Sequence, residues 1–147
     1  MPTVLIVDDS PTQRVFCAMV LEEGGYDLLE AESAEDARNL LQGLERLPDM
    51  VLSDVSMPGQ NGFEFCAWIK QHHPELSVSL LTSPPYRESV VAALSAGADT
   101  CLLKPFQSDH LLHHVECALS TKSVSSQQLL TALVCELATR LDEKDKG

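Results

Sequence analysis

Five short apolar runs recur along the chain, at residues 4–7, 27–31, 50–53, 78–81 and 100–103, each ending at polar or turn-forming residues. Their length and boundaries predict buried strands. Between them apolar residues return at helical spacing. Val15, Phe16, Met19 and Val20 form a first stripe, and Ala37, Leu40, Leu41 and Leu44 a second. Phe65, Trp68 and Ile69 form a third, Val90, Val91 and Leu94 a fourth, and Leu111, Leu112, Val115, Ala118 and Leu119 a fifth. Ser33 stands where a helix N-cap belongs, Gly24-Gly25 and Gly97 close helices, and Pro48 and Pro74 precede strands. Strands alternating with helices predict a parallel sheet covered on both faces, because a parallel connection requires a crossover. The expectation is a doubly wound α/β domain over residues 1–120. A Ser/Thr/Gln-rich linker follows, and then a helix over residues 127–142 with a seam of Leu130, Val134, Leu137 and Leu141, widened by Leu133.

A chain of 147 residues holds one ordinary domain, and 44% hydrophobic residues are enough to bury a core at that size. Lys and Arg number 10 against 22 Asp and Glu, a net charge of -12, which argues against direct nucleic-acid binding or an anionic membrane surface. All of the excess lies in residues 1–120, with 18 acidic and 6 basic side chains, whereas residues 121–147 hold 4 of each. Cys17, Cys66, Cys101, Cys117 and Cys135 are isolated, so they suggest neither a zinc cage nor a disulfide framework. No apolar run approaches the roughly 20 residues of a membrane span, and a cytoplasmic location fits. Cys17, Cys66 and Cys117 read as small core residues within helical stripes, and Cys101 as a packing residue rather than a thiol sensor. His110, His113 and His114 read as a solvated face of the last helix, and His72-His73 as an exposed helix end.

The candidate chemistry lies where polar residues end the apolar runs. Asp8-Asp9 follow the first, Asp54 the third, Thr82 the fourth and Lys104 the fifth. All of these are carboxyl ends of strands, and in an open doubly wound sheet those ends share one edge, where ligands bind at the switch point. The second strand offers nothing comparable, which makes it the outer strand and puts strands one and three beside the crevice. Clustered carboxylates repel one another unless a cation joins them, and hard oxygen ligands suit Mg²⁺. With the cation in place, one carboxylate is left as a nucleophile, with an ammonium and a hydroxyl to receive an anion. This is equipment for phosphoryl transfer onto an aspartate.

The set V-L-I-V-D-D-S, L-S-D-V-S-M-P-G-Q-N-G, L-L-T-S and L-L-K-P-F, in order and spacing from about residue 3 to residue 120, resembles the receiver domain of bacterial two-component response regulators. The resemblance implies a flavodoxin-like sheet of strand order 2-1-3-4-5. It makes Asp54 the acceptor of a phosphoryl group from a sensor histidine kinase or phosphotransfer protein. Asp8, Asp9, Asp54 and the backbone carbonyl of Ser56 become the Mg²⁺ ligands, Lys104 and Thr82 the phosphoryl contacts, and the Lys104-Pro105 bond cis. Gly59 and Gly62 bracket the loop after Asp54. Such domains are signalling switches rather than enzymes, with only self-phosphorylation and self-dephosphorylation chemistry expected.

The chain departs from the pattern at Cys101, where similar domains carry an aromatic ring or His, and at Pro84-Pro85, which stiffen the loop after Thr82. Without the ring, the change is expected to pass through Lys104-Pro105 to the last helix; Ser83 is the candidate cap of the fourth. The terminal segment reads as a connector in a longer regulator, with a possible homodimer through its helix; the alternative is a stand-alone receiver acting by protein contact. A haloacid-dehalogenase-type phosphatase would need its DxD motif at the first strand. A flavodoxin-like electron carrier would need a phosphate-cradling loop there instead of Asp8-Asp9.

Overall fold

The computed structural model describes residues 2–57 and 59–120. The chain runs β1 (Thr3–Val7), α1 (Pro11–Glu23), β2 (Asp27–Ala31), α2 (Ala34–Gly43), β3 (Met50–Asp54), α3 (Gly62–His72), β4 (Ser77–Thr82), α4 (Tyr86–Ser95), β5 (Thr100–Leu103) and α5 (Ser108–Ser120). The strands form one parallel sheet in the order β2-β1-β3-β4-β5, as expected. β3 and β4 are buried along their whole length, whereas outer β2 exposes Asp27 and Glu30, which accounts for its mixed composition.

Alternation along each strand sorts the core into two layers. Leu5, Val7, Val51, Val78, Leu80, Cys101 and Leu103 pack with α2, α3 and α4; Val4, Ile6, Met50, Leu52, Leu81 and Leu102 pack with α1 and α5. Helix starts follow capping chemistry: Ser10, Ser33 and Asn61 each accept a backbone N–H from the first turn of α1, α2 and α3.

Two helical faces differ from expectation. On α1 the buried residues are Cys17 and Leu21, while Val15, Phe16 and Met19 are exposed, Met19 by 59%. The helix carries apolar residues around much of its circumference, and small Cys17 rather than a large neighbour marks the inward line. On α4 the buried residues are Tyr86, Val90 and Ala93, and Val91 is 58% exposed. Ser83 does not cap α4. Pro85 holds the cap position with no side-chain bond, and Ser83 instead offers its carbonyl to the Ser89 hydroxyl, at 2.9 Å.

Two side chains, Cys117 and His114, correct the sequence reading as well. Cys117 is exposed, its Sγ 3.4 Å from His113 Nε2, and is not a core residue. His114 is not on a solvated face: half-buried, it lies 2.5 Å from the Ser79 hydroxyl, and burial first, then His113, pushes its pKa down to about 4. His110 and His113 are exposed as expected. Cys101 is buried, with its thiol pushed up to about 12 by burial and then by Cys66, in keeping with a packing role. The linker and helix expected within residues 121–147, and Cys135, lie outside the described residues.

Candidate functional site

The sheet brings together at its carboxyl edge every acidic, hydroxyl and ammonium group singled out in the sequence. Asp54 and Thr82 are the last residues of β3 and β4 rather than the first beyond them, and Asp8 and Lys104 directly follow β1 and β5. Asp8, Asp9 and Asp54 each present a carboxylate oxygen within 4.8 Å of the others. Asp8 and Asp54 are buried and Asp9 is exposed. Lys104 Nζ donates to Asp54 Oδ1 at 2.7 Å, and the Val55 amide donates to the same oxygen at 2.8 Å. These two bonds do not engage Asp54 Oδ2.

Two buried oxygens at this edge, Asp8 Oδ2 and Thr82 Oγ1, have no hydrogen-bond partner among the described residues. A buried polar atom without a partner costs about 1–3 kcal/mol, so it marks a place where a ligand atom belongs. Burial raises the Asp8 pKa most, opposed by the Ser10 amide; the Asp54 charge raises it further, Lys104 lowers it and Asp9 adds a smaller rise. This donor set, hard oxygens with excess negative charge and an orphaned carboxylate oxygen, fits a divalent cation such as Mg²⁺. Ser56 lies beside it: with Asp9, Val55, Met57, Asn61 and Phe63 it lines a cavity of about 600 Å³.

The backbone around the site is held closely. At Gly62 an added Cβ would come within 2.3 Å of the Asp54 carbonyl oxygen and 2.7 Å of Val55 Cα, so only glycine allows α3 to begin there. Gly62 N–H donates to the Val55 carbonyl at 2.8 Å. Gly59, at φ +79°, supplies the turn before it. Lys104-Pro105 is cis, as is Pro84-Pro85.

Two contributors escaped the sequence reading. Arg14 Nη1 donates to the Asp8 carbonyl at 2.7 Å while the guanidinium pairs with Glu30 at 3.4 Å. Tyr86 donates its hydroxyl hydrogen to the Lys104 carbonyl. The available signals were slight: Arg14 is the first basic residue of the chain, and Tyr86 lies four residues beyond Thr82.

A family model described as the response regulator receiver domain matches residues 4–116. The phosphate regulon transcriptional regulatory protein PhoB of Pseudomonas aeruginosa is 32% identical over 119 residues, covering 80% of this chain and 51% of that protein. The nitrogen assimilation regulatory protein NtrX of Azorhizobium caulinodans is 35% identical over 120 residues, covering 80% of this chain and 26% of that one. The chain therefore spans about half the length, or less, of these curated relatives. Among solved structures, that of a response regulator from Chloroflexus aurantiacus superposes with a TM-score of 0.76 at 33% identity, over 82% of this chain and 99% of that one.

Proposed function

The chain belongs to the response regulator receiver domain family, and from that premise we propose that it is a phosphorylation-activated switch whose acceptor is Asp54. The observation that carries this reading is the Lys104–Asp54 pair at 2.7 Å beside the unpartnered Thr82 hydroxyl. An Asp54 carboxylate oxygen attacks the phosphorus of a phosphohistidine on a sensor histidine kinase or phosphotransfer protein. The O–P bond forms as the N–P bond breaks, the imidazole nitrogen leaves with the electron pair, and an acyl phosphate results. Lys104 receives the phosphoryl oxygens as an ion pair, and the Thr82 hydroxyl donates to one of them. Asp8, Asp9, Asp54 and the Ser56 carbonyl would hold Mg²⁺, which when bound offsets the repulsion between the carboxylates and the incoming anion. Self-phosphorylation from a small donor and self-dephosphorylation are the only turnover this equipment supports.

The relatives' names support an output in transcriptional regulation through a longer protein, with residues 121–147 as connector; a receiver acting alone by protein contact is the second reading. Among the described residues no helix is long and apolar enough to cross a membrane, in keeping with a cytoplasmic place for the switch.

Intact-mass measurement with acetyl phosphate tests the assignment. One phosphoryl adduct should appear with Mg²⁺, and Asp54→Asn or EDTA should abolish it. An adduct formed as readily by Asp54→Asn, or without a divalent cation, overturns it.

A further inference from the structure

We propose that Tyr86 is a positioning residue for Lys104, and that its hydroxyl ties the first turn of α4 to the phosphoryl-binding edge. This deepens the function proposed above and rests on it. The phenol is 8% exposed and belongs to the same core layer as Phe65, Val90, Cys101 and Leu103. A buried tyrosine hydroxyl needs a partner, and this one takes the Lys104 carbonyl. On its other side the Lys104 N–H donates to the Thr82 carbonyl at 2.7 Å. The main chain of Lys104 is thus held from two directions, by the end of β4 and by the start of α4, while its ammonium reaches Asp54.

The cap position of α4 is a proline with no side-chain bond, and the Ser89 hydroxyl on the Ser83 carbonyl and the Tyr86 hydroxyl on Lys104 both tie the helix to its surroundings. When Lys104 exchanges its bond to Asp54 for one to a phosphoryl group, any shift of its backbone is carried to Tyr86, and through it to a helix whose outer face exposes Val91 and Leu94. The coupling element is a hydrogen bond between two specific groups, so it can be cut without emptying the core.

Tyr86→Phe keeps the ring and removes that bond. The readouts are the affinity of the Mg²⁺-loaded full chain for beryllofluoride, a phosphoryl mimic, Mg²⁺ affinity without it, and hydrogen exchange over residues 86–95. Tyr86→Phe should weaken beryllofluoride binding about fivefold, the equivalent of one hydrogen bond, and leave Mg²⁺ affinity unchanged. It should also remove the exchange response of α4. Ser89→Ala, which cuts the bond to the Ser83 carbonyl, should loosen α4 with no change in beryllofluoride affinity. The proposal is overturned if Tyr86→Phe binds and responds like the wild type, or if Ser89→Ala weakens binding as much, since the effect is then a general loosening of α4. A wild type that binds no beryllofluoride, or an Asp54→Asn variant that binds it equally, removes the functional premise instead.

Discussion

Asp8 shows how a site residue carries two opposed demands. Its carboxyl is fully buried beside two other carboxylates, and its pKa stands above the usual 3.8, chiefly through burial. A carboxyl whose pKa is higher folded than unfolded costs stability when ionised in both states. That cost is complete above the folded pKa and disappears as pH falls through it toward 3.8. Asp8→Asn should therefore raise the unfolding free energy of the metal-free protein in urea at pH 7 by about 0.5–2 kcal/mol, and lose the added stability that millimolar Mg²⁺ confers on the wild type. A variant no more stable than wild type without metal would show that the carboxylate carries no such cost. Residues of this kind were legible in the sequence because a charged residue ending an apolar run has few structural uses. His114 and Cys117 were not, since their burial depends on how far α5 is rotated against β4, and a five-residue stripe leaves that rotation loose.

At the scale of elements, strands were read closely and helical faces less so. A strand in the middle of this sheet is buried on both sides, so β3 and β4 announce themselves by unbroken burial-compatible runs that include Ser53 and Ser79. A helix must instead disclose one side, and α1 does not, because Val15, Phe16 and Met19 outweigh Cys17 and Leu21 in apolar bulk yet face outward. The two faces separate by mutation. Leu21→Ala should cost about 2–5 kcal/mol in chemical denaturation, whereas Met19→Ser should stay within about 0.5 kcal/mol. Equal costs would mean that the helix is rotated from its described position. Tyr86 was missed for a related reason. The resemblance directs attention to the side chain on β5, where Cys101 stands, while the ring whose hydroxyl meets Lys104 arrives from α4.

For the molecule as a whole, charge and the terminal seam set the terms of association. The acidic excess is confined to residues 1–120, and the neutral tail carries Leu130, Val134, Leu137 and Leu141, the basis on which we propose a second copy as its partner. A lone helix of about 16 residues is marginal in water, so pairing would stabilise it. Light scattering on the full chain should then give twice 16.1 kDa, and Leu130→Lys with Leu137→Lys should return it to the single mass. A wild-type monomer at micromolar concentration counts against the seam. Among the described residues, the sheet itself has an open ladder at each edge. Outer β2 has Asp27 and Glu30 exposed, and β5 at the far side has only four residues. A strand from a neighbouring copy seeking to extend the sheet at β2 would set carboxylates against carboxylates, and at β5 would find little backbone to bond. The exposed carboxylates that interrupt the apolar character of β2 thus guard this edge of the sheet against the addition of a neighbouring strand.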